Sequence, residues 1–181
     1  RRRVMHANLP PDALVAELAK AGRVAQRVLA RLDHAAKARA LCAAATALRA
    51  AEPEVLAANA QDMAAGAANG LTPAMLDRLK LDSARLAAIA DAVEGIAALD
   101  DPVGQVIDRA SRPNGLQLSR VRVPIGLIGI VYESRPNVTA DAAALCVASG
   151  NAALLRGGSE AVHSNHAIHS ALVRGLESSG V

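Results

Sequence analysis

Aromatic residues are almost missing from this 181-residue chain: it has no Trp, no Phe and one Tyr, Tyr132. A core built without rings has to be aliphatic, and 52% of the residues are apolar, so disorder is excluded as the general state. The same shortage leaves no platform on which bases could stack, which argues against nucleic-acid binding. Charge of one sign is also scarce: the net is +3, and Arg1-Arg2-Arg3 alone could supply it. No apolar run approaches the ~18 residues of a membrane span. Residues 1–10 hold no apolar stretch of the kind a secretory signal needs. Only two cysteines occur, Cys42 and Cys146, far apart and both in helical contexts, so they read as reduced thiols of a cytoplasmic protein. The phosphate-binding words G-x-G-x-x-G and G-x-x-x-x-G-K-[ST] are absent.

What is present is a series of helix signals. Apolar residues at Leu14, Val15, Leu18, Ala21, Val24, Val28 and Leu29 make a helical stripe over 11–32, with Pro11 in the first turn. Asp33 can cap a second helix over 35–50, which carries Leu41, Ala45 and Leu48 inward. Pro53 opens a third, stopped by Asn69-Gly70. Thr72-Pro73 opens a short fourth, and Asp82-Ser83 caps a long one over 84–98. Arg23, Arg27, Lys37 and Arg49 read as solvated faces of these helices. The helices are similar in length, but no fixed period makes them a repeat.

Asp100-Asp101-Pro102-Val103-Gly104 breaks the helical pattern. Residues 106–111 and 116–123 flank Arg112-Pro113-Asn114-Gly115, which is hairpin turn chemistry. Two antiparallel strands are expected there, and a two-stranded ribbon needs something to cover it.

The stretch around which the chain is organised runs from Pro124 to Ser164. Leu127–Val131 is a short apolar run bounded by Pro124 and by Ser134-Arg135-Pro136-Asn137, and it predicts a strand buried on both faces. Gly126 and Gly129 leave bare backbone on it. An Ala-rich helix over 140–149 follows, with Gly150-Asn151 as its stop. Ala152–Leu155 is a second short strand. Arg156-Gly157-Gly158-Ser159-Glu160 then opens a helix over 161–176, with Ser159 as the expected cap. A strand, helix, strand, Gly loop and helix make a βαβα unit, whose usual ligand bears phosphate and sits at the carboxyl ends of the strands. Arg156 beside a helix N-terminus suits an anion. The plainer reading is a tight turn, with Arg156 paired to Glu160.

The words PIGLIGIVYESRPNVTADAA and LCVASGNAALLRGGSEAVHSN resemble the γ-glutamyl phosphate reductase family, within the aldehyde dehydrogenase superfamily. Weaker matches run upstream through LAANAQDMAAG, MLDRLKLDSARLAAIADAV and LDDPVGQVIDRASRPNGLQLSRVRV, so the likeness covers roughly residues 35–181. YESRPNVT joined to LRGGSEA is its most specific part. The resemblance implies an α/β fold: an N-terminal helical segment (1–100), a two-stranded hairpin (105–123), and an incomplete parallel, Rossmann-like nucleotide-binding domain (124–181). It implies that the hairpin is an arm reaching a partner subunit of a homo-oligomer, with packing on its own domain as the alternative. It further implies reduction of L-glutamyl 5-phosphate by NADPH through a cysteine thioester, giving glutamate 5-semialdehyde for proline synthesis. The family's cysteine lies well downstream of LRGG, and the chain starts without Met and stops just after a helix. A fragment of a longer protein, inactive alone, is therefore expected.

By the same likeness, Arg156 takes the place of a Lys near the cofactor's adenosine ribose, where Arg suits a 2′-phosphate. Gly157, Gly158, Ser159 and Glu160 share that loop. Ser134-Arg135-Pro136-Asn137 stands where the superfamily carries an oxyanion-stabilising Asn, so Asn137 or Arg135 is expected to face the acyl group or its phosphate. A cap at Asn137 and an ion pair at Arg135 are equally open. Cys42 and Cys146 read as small core residues. His163, His166 and His169 recur every three residues without a carboxylate or thiol to complete a metal set, and read as a solvated face. Two alternatives stand beside this reading: another acyl-phosphate or aldehyde dehydrogenase of the superfamily, and a non-catalytic interaction module.

Overall fold

The computed structural model describes residues 9–133 and 135–181. Five helices come first: α1 (Pro11–Leu29), α2 (His34–Ala50), α3 (Glu52–Ala68), α4 (Pro73–Leu79) and α5 (Ser83–Ala97). Their starts follow the capping chemistry of the sequence. Asp33 accepts from the Ala36 N–H at 2.7 Å, Thr72 from Met75 at 3.3 Å and Asp82 from Arg85 at 2.8 Å. A hairpin of β1 (Val106–Ser111) and β2 (Gln117–Val121) follows, then β3 (Leu127–Val131), α6 (Asn137–Ala148), β4 (Ala152–Arg156) and α7 (Val162–Ser178). β3 and β4 pair in parallel, Leu127 opposite Ala152 and Val131 opposite Arg156. No helix among the described residues is long and apolar enough to cross a membrane.

The core is aliphatic, as a chain without Trp or Phe requires. Leu41, Ala45 and Leu48 of α2 pack with Leu86, Ile89 and Val93 of α5 and with Ile168 and Leu172 of α7. Helices α2 and α7 approach so closely that a Cβ on Gly175 would meet the backbone of Ala43 and Ala44. Ala normally favours a helix interior over Gly by about 1 kcal/mol. Here the obstacle is rigid backbone, and overpacking of that kind costs about 1–3 kcal/mol. Gly175→Ala is therefore expected to lower stability, read as a lower urea midpoint; a raised midpoint would show that the two helices can part at no cost.

A polar seam runs through this apolar body. On α3 the buried positions are Val55, Asn59, Asp62 and Gly66, one helical stripe. Asn59 donates to the Leu79 carbonyl at 2.8 Å and to Ser164 Oγ at 3.0 Å, and accepts from the Leu81 N–H at 2.8 Å. Asp62, 2% exposed, accepts from the His163 N–H (3.2 Å), the Ser164 N–H (2.7 Å) and Ser164 Oγ (2.6 Å). The cap of α7 thus comes from another helix. Ser159, expected in that role, lies in a single 3-10 turn over Ser159–Ala161 and makes no capping bond.

Several other expectations are corrected. Lys37 is not solvated: it is 2% exposed and pairs with Asp101 at 2.6 Å. Burial pushes the Asp101 carboxyl up, but the bonds from Lys37 and the Val103 N–H outweigh it and hold its pKa below the ordinary value. The stripe on α1 is narrower than its apolar pattern, with Val15, Val24 and Val28 exposed. This helix touches the body along one side, where it meets β3 and β4 and where Gln26 donates to the Gly150 carbonyl at 3.3 Å. β3 is not buried on both faces, since Gly129 and Val131 are exposed. Its sheet has two strands among the described residues, so one long edge of β3 carries no neighbour.

The hairpin has no buried residue in either strand, and its pairing shifts between Val106 and Asp108. Arg112 and Leu116 close the turn through an N–H to carbonyl bond of 2.9 Å, with Gly115 at a φ of +85°. Arg120 pairs with Asp108 across the ladder.

Candidate active-site cleft

The carboxyl ends of β3 and β4 lie side by side. The Tyr132 N–H, just past β3, donates to the Arg156 carbonyl at 3.1 Å. Tyr132 and Thr139 share a hydroxyl–hydroxyl bond of 2.7 Å, and Thr139 donates onward to Asn165 Oδ1 at 3.0 Å. The Asn165 side chain lies against Gly157, leaving no room there for a Cβ. One chain of hydroxyl and amide contacts therefore ties the loop after β3, the first turn of α6, the Gly loop after β4 and the first turn of α7. Close approach, rather than a left-handed φ, is what demands Gly at 157.

Arg156 is exposed at the end of β4, and Ser159 is exposed in the turn beyond it. Gly158 is buried beneath the Glu160 carboxylate, which occupies the place a Cβ would take. The helix end behind this loop is not open to a ligand at its His163 and Ser164 amides, because Asp62 holds both. Any anion here has to be met by Arg156 and the loop.

The second group of candidates lies where β3 hands over to α6. Ser134 falls outside the described residues. Arg135 is exposed, Pro136 is fully buried at the head of α6, and Asn137 begins the helix half-buried. Asn137 Nδ2 donates to Asp141 Oδ2 at 3.0 Å, one turn on. Asn137 is thus a helical residue with a side-chain partner and not a cap. Arg135 makes no ion pair among the described residues.

Arg135, Asn137 and Asp141 form one wall of a cleft of about 480 Å³, and Asp77, Arg78, Lys80 and Arg85 stand among the residues opposite. Leu81, Ile89 and Ala92 add apolar lining. A smaller hollow of about 390 Å³ adjoins it, where Tyr132, Glu133 and Val138 face Met75. Arg78 and Arg135 line both spaces. Arg85 is fixed in place: it pairs with Asp77 at 2.8 Å and donates to the carbonyls of Asp77 and Lys80. Its bond to Asp77 raises its pKa further above the ordinary value. Four cations stand around a partly apolar cleft, which is what an elongated anion with a short carbon chain would need.

No thiol lines either space. Cys146 is buried in α6, where burial pushes its thiol up and away from the thiolate, and Cys42 is exposed on α2. His163, His166 and His169 belong to no group of three metal-ligating side chains among the described residues. The cations of α4 and α5 carry no local motif that marks them as functional. Arg78, Lys80 and Arg85 fall in a short amphipathic segment that reads as ordinary helix surface, and only the packing of α5 against α6 sets them across from Arg135.

No family model matches the chain. Among curated proteins, it is 72% identical over 168 residues to the γ-glutamyl phosphate reductase of Novosphingobium aromaticivorans, a match covering 93% of this chain and 40% of that protein. The reductase of Zymomonas mobilis is 55% identical over 171 residues, with 94% and 40% covered. Over nearly its whole length the chain is similar to γ-glutamyl phosphate reductases. It spans about 40% of the length of the curated relatives it matches. Among solved structures, the γ-glutamyl phosphate reductase of Thermotoga maritima aligns with a TM-score of 0.87 at 43% identity, over 91% of this chain and 40% of that one. A putative aldehyde dehydrogenase from Bacillus subtilis aligns with a TM-score of 0.69 at 14% identity, over 93% and 34%, a likeness of fold alone. The fold class is thereby fixed: an α/β chain of aldehyde dehydrogenase type, with helices first, an antiparallel hairpin, and an incomplete domain with a parallel sheet.

Proposed function

We propose that this chain is the N-terminal part of a cytoplasmic, NADPH-dependent reductase that converts L-glutamyl 5-phosphate to L-glutamate 5-semialdehyde and phosphate for proline synthesis. The observation that carries this reading is the cationic cleft between α4–α5 and α6, opening where the parallel strands end. Its charge suits a substrate bearing a phosphate and a carboxylate, and its apolar lining suits the carbons between them. In this reading Arg135 draws the phosphate, and the second N–H of Asn137, beyond the one given to Asp141, faces the acyl oxygen. Pro136, buried at the head of α6, keeps both residues at the mouth of the cleft. The dinucleotide would be held by Arg156, Gly157, Gly158, Ser159 and Glu160. An exposed guanidinium beside a tight loop fits a ribose phosphate, and the helix behind it, already capped by Asp62, has less to offer a pyrophosphate. When bound, that cofactor supplies the hydride.

The nucleophilic thiol is assigned to residues beyond this chain, because neither Cys42 nor Cys146 lines the cleft. The three parts 1–100, 105–123 and 124–181 serve as helical support, arm and nucleotide-binding core. The exposed hairpin, with Val106, Ile107, Leu116 and Leu118 on its surface, favours the arm and a homo-oligomer. The test is turnover by a full-length reductase containing this chain, run in reverse with glutamate 5-semialdehyde, inorganic phosphate and NADP⁺. Phosphate-dependent growth of NADPH absorbance is expected, with none from residues 1–181 alone. A full-length enzyme that ignores phosphate, or turnover by the 181 residues, would overturn the assignment.

A further inference from the structure

We propose that Asp141 is the residue that receives the α-ammonium group of the substrate, so that the cleft selects an amino acid and not a plain carboxylic acid. This rests on the reading above. Of the charges around the cleft, Arg85 and Asp77 neutralise each other through their ion pair, and Arg85 is further bound to two carbonyls. Arg78, Lys80 and Arg135 remain without ion pairs among the described residues; within the cleft itself the carboxylate left is Asp141, while Glu133 lines the adjoining hollow. Glutamyl phosphate carries the inverse set: a carboxylate, a doubly charged phosphate and one ammonium. A cleft built only to attract anions would gain nothing from Asp141, since a carboxylate facing an anionic ligand repels it. An ammonium group gives that carboxylate a purpose.

The geometry agrees. Asp141 is half-buried on α6 and lines the cleft, one turn past Asn137, which holds Oδ2 at 3.0 Å. A carboxylate has about four acceptor positions, so most remain open. Asn137 in effect orients the acid. The plainer account is a local helical bond between Asn137 and Asp141 that supports α6 and nothing more, with the carboxylate favoured by the nearby helix N-terminus.

The two accounts separate on ligands that differ only in the amino group. The probes are L-2-amino-5-phosphonopentanoate and 5-phosphonopentanoate, titrated calorimetrically into the full-length reductase. The wild type is expected to bind the amino form about tenfold or more tightly, as a charge-assisted hydrogen bond would give. Asp141→Asn keeps the shape and a partner for Asn137, and is expected to erase that preference while leaving the desamino affinity equal or better. Asp141→Glu, which restores the charge, is expected to recover part of it. No preference in the wild type, or an equal preference in Asp141→Asn, overturns the proposal. A purely structural Asp141 would move both affinities together, which also overturns it. Where phosphate-dependent turnover by the wild type is intact, such a result removes Asp141 alone; where turnover is also missing, the functional reading fails with it.

Discussion

Asp62→Ala is expected to destabilise the protein by about 3 kcal/mol, since it strips the partners from the buried Ser164 N–H and hydroxyl and from the part-buried His163 N–H. Each buried donor left unsatisfied costs about 1–3 kcal/mol. The charge of the carboxylate against the positive end of α7 is lost as well, adding up to about 1 kcal/mol. A loss of this size is a large share of the ~5–15 kcal/mol that keeps a domain folded. It would appear as a lower urea midpoint at unchanged slope. Asp62→Asn, which keeps one acceptor, should fall between. The effect should also spread, because Ser164 is shared with Asn59, which anchors the start of α5 through Leu81. A loss under about 1 kcal/mol would mean that water or a rearranged turn satisfies the head of α7, and that the buried bonds are not what fixes it.

The second large effect concerns Arg156. In the full-length reductase, Arg156→Ala is expected to raise KM for NADPH by about 10- to 100-fold, the range of a charged hydrogen bond worth about 1.5–3 kcal/mol. Because Arg156 is exposed at the end of β4, its removal should leave stability near the wild-type value. The discriminating measurement is KM for NADH in the same variant. If the guanidinium meets a 2′-phosphate, NADH affinity should not move, and Arg156→Lys should restore part of the NADPH affinity. An equal rise for both cofactors would place Arg156 elsewhere on the dinucleotide, and no rise for either would remove it from the site.

Much of the fold was legible because local chemistry and global packing agree. Asp33, Thr72 and Asp82 each precede a helix and each caps it. Residues 112–116 close the hairpin as their turn chemistry requires. Where sequence and structure part, position on an element outweighs residue type. Asn59 and Asp62 sit in register with Val55 and Gly66 on the inward stripe of α3, so spacing points inward where polarity alone points outward. Lysine is usually solvent-facing, but Lys37 is paired with Asp101, which lies 64 residues on, beyond the reach of any periodic pattern. On α1 the difference runs the other way, since an apolar stripe overstates burial when the neighbour is a sheet of two strands among the described residues.

The candidate site divides in the same manner. Its half on β3, α6 and β4 follows one continuous stretch of sequence, so Arg135, Asn137 and Arg156 could be named without coordinates. Its other half, Arg78, Lys80 and Arg85, comes from a segment about fifty residues earlier in the chain, brought opposite by helix packing that no local pattern encodes.

Tyr132 stands where the two strands end, bonded to Thr139 and lining the smaller hollow. With no Trp or Phe in the chain, every photon of ultraviolet emission from these 181 residues originates at that phenol. These 181 residues carry their own optical reporter at the edge of the smaller hollow.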